Sequence, residues 1–254
     1  MPHFWHTEIR KNQTMLLRLT LRVAMDSSIE SSVLELIQTN RNLKSSGLVL
    51  FTWGNASLKT QDRVYIKPSG VPYEEIQIND ISVVDFETGA HTGGMKPSVD
   101  TPTHLALYKH FPKVNSIIHT HSEYCTIFAQ AKMPIPCLGT THADYFYGDV
   151  PVIEDLAIDQ IEKNYEHNTG IGIVNTFSKL NISYLDVPAA LIPCHGVFVW
   201  GESLKQALER AVILEHVANM AYKTLLLNSD TTLDKNILDK HFLRKHGDKK
   251  YYGQ

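Results

Sequence analysis

The sequence has little cysteine, little net charge and no long hydrophobic run, and each shortage excludes a class of protein. Three cysteines in 254 residues, without C-x-x-C spacing, argue against a disulfide framework and predict reduced thiols in a cytoplasmic protein. A net charge of −3 is near neutral and argues against general nucleic-acid binding. No stretch approaches the ~20 apolar residues that a membrane span needs.

The beginning of the chain differs from the rest. Its short apolar patch is interrupted by Arg18 and Arg22, and no clear small-residue cleavage site follows, so we predict no signal peptide. A good helix start follows at residues 26–28. We therefore expect residues 1–24 to form an N-terminal extension outside the fold. With 43% hydrophobic residues and no linker, residues 25–254 are long enough to bury one core and are expected to form a single domain.

Hydrophobic periodicity predicts helices and strands in succession, which is typical of an α/β domain. The clearest helix begins at Ser203, where Gln206 completes a capping box and apolar residues then recur at helical spacing. The predicted helices span residues 31–42, 122–131, 203–226 and 233–243, with a further helix starting at residue 101. The predicted strands span residues 47–53, 63–67, 81–86 and 114–121.

His119 and His121 are separated by one residue in a run that predicts a strand. Side chains two apart on a strand point to the same face, so both imidazoles can reach one point. His195, in the apolar segment 189–196, is a third candidate. Imidazole is the commonest metal ligand, and a catalytic cation such as Zn²⁺ needs about three protein ligands and an open position. Histidines satisfied by hydrogen bonds are the alternative interpretation.

Two turns contain glycine next to a polar residue. Gly54-Asn55 and Ser69-Gly70 both follow predicted strands, and Lys67 adds a cation to the second turn. Glycine lets a ligand approach the backbone, and the neighbouring N–H groups can hold an anion. Ordinary turns have the same composition and are the alternative.

Two aspartates are candidates for chemistry. Asp100 and the nearby Ser98 precede the helix that starts at residue 101. Either residue can cap this helix, its N-terminus can bind an anion, and Asp100 can face a metal. Asp144 lies among aromatic residues, and such surroundings can raise the pKa of a carboxyl group and suit it to proton transfer. A capped turn or a surface aspartate is the alternative for Asp144.

A series of motifs resembles the L-ribulose-5-phosphate 4-epimerase family of the class II aldolase/adducin superfamily. The resemblance runs from about Met25 to the last residue, and T-T-H-A-D-Y-F-Y-G and Y-Y-G-Q point to the epimerases in particular. The motifs are T-W-G-N at 52–55, I-K-P-S-G at 66–70, D-T-P-T-H at 100–104, H-T-H-S at 119–122, the stretch 139–148, H-G at 195–196, and the closing segments 239–247 and 251–254.

This resemblance implies a fold, an assembly and a reaction. The fold is a three-layer α/β/α arrangement with a central, mostly antiparallel sheet, and the assembly is a homotetramer with active sites between adjacent subunits. The expected substrate is a phosphorylated ketopentose. One Zn²⁺ per subunit assists cleavage and re-formation of its C3–C4 bond, which interconverts L-ribulose 5-phosphate and D-xylulose 5-phosphate.

The resemblance also implies roles for individual residues. The implied metal ligands are His119, His121 and His195, with Asp100 at the same site. The implied acid/base residues are Asp144 and Tyr252, the latter from the neighbouring subunit. The implied phosphate- and substrate-binding residues are Gly54, Asn55, Lys67, Ser69, Gly70, Ser98, Val99, His241 and Arg244.

Two departures and two alternatives accompany the resemblance. Val99 occupies a position that is usually a second serine, which leaves its backbone N–H for the phosphate, and residues 1–24 have no counterpart. One alternative is a sugar-phosphate aldolase of the fuculose-phosphate type, which typically has Glu in place of Asp100 and lacks the Asp144 segment. The other is a metal-free binding module like adducin, against which the three histidines argue.

Overall fold

The computed structural model describes residues 28–247, 250 and 251, so the predicted extension over residues 1–24 lies outside them. In chain order the elements are α1 (28–45), β1 (Asn55–Lys59), β2 (Arg63–Ile66), β3 (Ser82–Asp85), β4 (His91–Gly93), α2 (Thr101–His110), β5 (Ser116–Thr120), α3 (Glu123–Gln130), α4 (Thr140–Ala143), α5 (Ile158–Glu162), α6 (Tyr165–Leu180), β6 (Ala189–Ile192), β7 (Gly196–Gly201), α7 (Leu204–Leu227) and α8 (Lys235–His246).

The strands of the described chain form one antiparallel sheet in the order β4-β3-β2-β1-β5-β7-β6. The strand β5 lies between β1 and β7, and its register sets His119 opposite Asn55 on one side and opposite Phe198 on the other. Residues directly opposite each other in an antiparallel sheet project from the same face. These three side chains therefore form a row across the sheet, close to the end of β5.

Helices cover both faces of the sheet. Every residue of β5, β6 and β7 is buried, which requires cover on each side. On one face, α2 packs against α6, and its His104 and Tyr108 contact Ser57 of β1 while His104 also meets Phe198 of β7. On the other face, α3 and α7 pack together and against the central strands. The expected three-layer α/β/α fold with an antiparallel sheet is confirmed.

The prediction of a strand over residues 47–53 is wrong. Its bulky apolar side chains suggested a buried strand, but Leu50 and Trp53 are exposed, and the N–H of Trp53 closes a turn on the carbonyl of Leu50 at 3.0 Å. The strand begins only at Asn55. Gly54 therefore lies ahead of a strand rather than behind one.

The capping pattern predicts one long helix correctly, whereas the composition of another hides it. Helix α7 begins where predicted, because the Ser203 hydroxyl accepts a hydrogen bond from the N–H of Gln206 at 3.2 Å. The Gln206 side chain reaches the N–H of Glu202 instead of that of Ser203. Helix α6 was not predicted, since Gly170, Gly172 and several polar residues interrupt its apolar spacing.

The structure also bears on two expectations from composition, the lack of a membrane span and of a disulfide framework. Among the described helices, none is long and apolar enough to cross a membrane. The three cysteines are free thiols, of which Cys125 and Cys137 are buried and Cys194 is exposed. The prediction of unpaired cysteines is therefore confirmed.

We expect Gly54→Ala to destabilise the protein more than Gly70→Ala. Both glycines have positive φ, 77° and 72°, but a Cβ at Gly54 would lie 2.7 Å from the carbonyl oxygen of His119, whereas one at Gly70 meets no atom within 4 Å. Left-handed backbone alone costs about 1–2 kcal/mol in a residue with a Cβ, and overpacking adds about 1–3 kcal/mol. Thermal unfolding followed by circular dichroism compares the two. Equal midpoints would show that the loop can move away from β5.

Candidate functional site

Three imidazoles converge at the end of β5. His119 is in the strand, His121 follows it directly, and His195 lies in the turn between β6 and β7. The ring centroids are 4.8–4.9 Å apart, and one ring nitrogen from each lies within 4.8 Å of the others. The Nε2 atoms of His119 and His121 are only 3.1 Å apart. The predicted convergence of these three histidines is thus present in the fold.

The surroundings of His119 fix which nitrogen faces the site. Its Nδ1 lies 3.0 Å from the carbonyl oxygen of Val197, so this nitrogen carries the hydrogen and Nε2 presents a lone pair. The ring stacks on Phe198 at 4.3 Å. Burial lowers the pKa of His119 to about 3, and burial also lowers the pKa values of His121 and His195. Neutral imidazoles with converging lone pairs are the donor set that a divalent cation such as Zn²⁺ requires.

Asp100 lines the same cleft, held by a small polar network. Its Oδ2 accepts hydrogen bonds from Asn55 Nδ2 at 2.8 Å and from the Ser98 hydroxyl at 3.2 Å. It is the residue before α2, yet its side chain does not cap that helix, so the carboxylate is left for the cleft. Burial raises the pKa of Asp100, but the neighbouring His119, two further histidines and the Asn55 hydrogen bond outweigh burial and hold the pKa below its usual value. The Oδ1 of Asn55 is buried without a partner among the described residues and can accept a hydrogen bond from a ligand.

The three histidines share a cleft of about 300 Å³ with most of the predicted phosphate-binding residues. The cleft opens between the turn before β1, the turn after β2 and the start of α2. It is lined by Thr52, Trp53, Gly54, Asn55, Lys67, Pro68, Ser69, Gly70, Ser98, Val99, Asp100, His119, His121 and His195. The fold therefore brings residues from several separate stretches of sequence to one cleft.

Lys67 is the cation of this cleft. Its side chain is only 1% exposed, and its Nζ donates to the carbonyl oxygens of Thr52 and Pro68, each at 3.3 Å. No carboxylate in the described chain forms an ion pair with it. Burial lowers the pKa of Lys67 to about 8, so the ammonium is present at neutral pH without a counterion. A buried, unpaired positive charge favours an anionic ligand such as a phosphate group.

A second group of predicted site residues lies apart from this cleft. Asp144 accepts hydrogen bonds from His241 Nδ1 at 3.1 Å and from Arg244 at 3.0 and 3.1 Å, and Lys245 Nζ is 3.3 Å away. These partners all come from α8. Asp144 is not among the residues that line the histidine cleft, and Tyr252 lies outside the described residues.

The expectation of a raised pKa for Asp144 is wrong. Burial does raise it, but hydrogen bonds from His241 and Arg244 and the charge of Lys245 together lower the pKa below its usual value. The aromatic neighbours in sequence suggested an apolar environment. The cations come from a helix about 100 residues further along the chain, which the local sequence could not reveal.

Two tyrosines next to the cleft carried no signal in the sequence. The Tyr73 hydroxyl donates to the carbonyl oxygens of Trp53 at 2.6 Å and Gly54 at 2.9 Å. The Tyr165 hydroxyl lies 3.3 Å from Nδ1 of His195. A hydrogen bond at this nitrogen orients the imidazole ring and leaves its other nitrogen for a metal. Tyr73 is in a loop and Tyr165 begins a helix that was not predicted, so neither could be assigned to the site from spacing.

Comparison with known proteins places this chain in a family. It belongs to the class II aldolase and adducin N-terminal domain family, whose sequence model matches residues 34–222. It is 44% identical over 223 residues, 87% of this chain and 97% of the relative, to the L-ribulose-5-phosphate 4-epimerase UlaF of Salmonella paratyphi C (strain RKS4594). The enzyme of the same name from Salmonella paratyphi A (strain ATCC 9150 / SARB42) is 43% identical over the same shares.

Solved structures show the same fold. An L-fuculose 1-phosphate aldolase superposes with a TM-score of 0.70 at 24% identity and covers 83% of this chain and 94% of its own. The l-fuculose-1-phosphate aldolase from Thermus thermophilus gives a TM-score of 0.63 at 19% identity and covers 79% and 98% of the two chains. At these identities the likeness establishes the architecture alone.

We expect the cleft to bind sulfate more weakly as the pH rises through about 8. Sulfate keeps its charge over this range, whereas Lys67, whose pKa is about 8, loses its proton and with it the attraction for an anion. Affinity should fall by more than about tenfold between about pH 7 and pH 9.5, because a bound anion raises the pKa of Lys67 and the free protein gives up this proton first. Calorimetric titration measures it. Lys67→Met should bind sulfate weakly at both values, and an unchanged pH dependence in this variant would rule out Lys67 as the cause.

Proposed function

We propose that this protein is a zinc-dependent L-ribulose-5-phosphate 4-epimerase. The proposal rests on the joint presence, in one cleft, of three converging neutral imidazoles and an unpaired buried ammonium. A reaction on a phosphorylated sugar needs both parts, one for the reacting carbons and one for the phosphate. The similarity to proteins named as L-ribulose-5-phosphate 4-epimerases, over nearly their whole length, supports the choice of reaction.

The phosphate end of the substrate would bind at Lys67, Ser69 and Gly70. The Lys67 ammonium supplies the charge, and the glycine leaves the backbone open to the ligand. Asn55, with its unpartnered Oδ1, would accept a hydrogen bond from a sugar hydroxyl. These contacts hold one fragment in the cleft while the bond between C3 and C4 is broken.

The histidines would hold the divalent cation next to the reacting carbons. A cation bound by His119, His121 and His195, with Asp100 beside it, supplies positive charge that stabilises the negative charge developing on substrate oxygens as C3–C4 breaks. Three neutral ligands leave most of that charge available. The protein's own task is then to keep both fragments in place while the aldehyde turns and presents its opposite face to C3.

Inversion at C4 needs two groups that exchange a proton with the C4 hydroxyl from opposite sides. With its lowered pKa, Asp144 is ionised at neutral pH and is thus in the form that can accept a proton, so we propose it as the base. Tyr252, by resemblance to the family, is proposed as the second group. Because Asp144 does not line the cleft of its own chain, we propose that the complete site forms between adjacent subunits of a homotetramer.

The reaction itself is tested by incubating the purified protein with L-ribulose 5-phosphate. We expect D-xylulose 5-phosphate to form, to stop forming with a chelator and to return with Zn²⁺. His121→Ala should weaken zinc binding by more than the roughly 10- to 100-fold that is typical of changes to groups that only support a ligand. His91→Ala should keep the affinity, since the exposed His91 ring lies against the carbonyl of Gly93 and is not one of the three converging histidines. Release of free dihydroxyacetone would instead identify an aldolase, and turnover unaffected by complete metal removal would refute the zinc-dependent reaction.

The acid/base assignment is tested by Asp144→Asn and Tyr252→Phe. Each should reduce kcat by about 10²–10⁴-fold, because a positioned proton donor or acceptor contributes that much, while bound zinc stays at one per subunit. Tyr251→Phe is the matched control, since the neighbouring tyrosine is exposed and has no assigned role. Near-normal turnover in either test variant would remove that residue from the mechanism.

A further inference from the structure

Tyr73 lies beneath the anion-binding end of the cleft and is fully buried, although it does not line the cleft itself. It contacts both the turn at Gly54 and the ammonium of Lys67. We propose that Tyr73 is a positioning residue for two hydrogen-bond donors that face a bound anion. Its hydroxyl orients the amide N–H of Gly54, and its ring supports the ammonium of Lys67. This inference deepens the proposed function, on whose phosphate site it rests.

The hydroxyl of Tyr73 orients the turn. Its one hydrogen is shared between the carbonyl oxygens of Trp53 and Gly54, which lie 2.6 and 2.9 Å from the hydroxyl oxygen. Burial raises the pKa of Tyr73, so the phenol keeps its proton. The peptide bonds of the described chain are all trans, and a trans peptide places its N–H opposite its C=O. Holding the Trp53 carbonyl on Tyr73 therefore turns the N–H of Gly54 to the other side, away from Tyr73.

The turn needs such an anchor because its own side chains provide little. Leu50, Phe51 and Trp53 are 63%, 72% and 53% exposed, so burial of the turn residues does not fix its position. Phe51 also has a positive φ of 50°, a conformation that costs free energy in a residue with a Cβ. The shared hydrogen bond from Tyr73 holds the end of the turn where Gly54 meets the cleft.

The ring of Tyr73 supports the charge of Lys67. The Lys67 Nζ lies 4.7 Å from the ring centroid, within the range of a cation–π contact, which is stronger where water is excluded. Two carbonyl oxygens at 3.3 Å take two of its three N–H groups. The third is left for a ligand. Since no described carboxylate pairs with Lys67, the ring and the two carbonyls are what keep this amine protonated inside the protein.

The two contributions of Tyr73 are separable by mutation. Tyr73→Phe keeps the ring and removes the hydroxyl, whereas Tyr73→Leu removes both. Calorimetry of sulfate binding to the zinc-loaded protein at several pH values measures both contributions. The affinity near neutral pH depends on the position of the two donors. The pH at which the affinity has fallen by half follows the pKa of Lys67. The other titratable groups that line the cleft are Asp100, His119, His121 and His195, and none of the variants alters them.

We expect Tyr73→Phe to bind sulfate about 5- to 10-fold more weakly, the loss typical of one or two hydrogen bonds, with the same pH midpoint. Tyr73→Leu should bind more weakly still, and its midpoint should move to lower pH because the ammonium loses the ring. With L-ribulose 5-phosphate, both variants should raise KM more than they lower kcat. Tyr108→Phe is the matched control: it removes the hydroxyl of another fully buried tyrosine, whose partners are Ser57 and Asn115, and should leave sulfate binding unchanged.

Wild-type sulfate affinity in Tyr73→Phe would overturn the role of the hydroxyl. An unchanged pH midpoint in Tyr73→Leu would overturn the role of the ring. If Tyr73→Leu does not fold, fluorinated phenylalanines at position 73 keep the ring's size and weaken the negative potential of its face. The midpoint should then fall with each added fluorine, and a constant midpoint would refute the role of the ring. Sulfate binding needs no turnover, so a protein that binds sulfate as expected but does not epimerise the sugar would refute the proposed function alone.

Discussion

The pairing of β5 with β1 on one side and with β7 on the other is the constraint on which the cleft depends. It sets Asn55, His119 and Phe198 in one row and brings the turn that carries His195 against the end of β5. A slip of one residue would turn His119 to the opposite face of the sheet and separate it from His195, which lies on the neighbouring turn. The same pairing explains Gly54, because a side chain there would meet the carbonyl of His119.

Burial lowers the pKa of basic side chains in two parts of the cleft, with a different result in each. At the histidines, burial lowers the pKa of each imidazole, and the neutral form that results is the one that binds a cation. At Lys67, burial also lowers the pKa, but only to about 8, so most of the amine stays charged at neutral pH and can attract an anion. The cleft therefore combines neutral imidazoles, which suit a metal cation, with a buried positive charge, which suits an anion.

Local patterns in the sequence revealed most of the cleft and little of what supports it. The H-x-H pair was predictable because strand geometry has a period of two residues, and the glycine turns because few other residues tolerate positive φ. The apolar run at 47–53 misled, since Leu50, Phe51 and Trp53 are exposed in a turn although their residue types are typical of a buried strand. Tyr73 carries no local signal, because its role depends on contacts with residues 19 and 20 positions away.

The charge of Lys67 links ligand binding to folding. Its pKa falls from 10.5 to about 8, so the folded state binds this proton less tightly than the unfolded chain does. The resulting loss of stability is complete below about pH 8 and disappears as the pH rises towards the unfolded value. An anion in the cleft supplies the missing half of an ion pair and reverses that loss. If the proposed phosphorylated ligand binds there, it should raise the free energy of unfolding of this chain, which is lower when the cleft is empty.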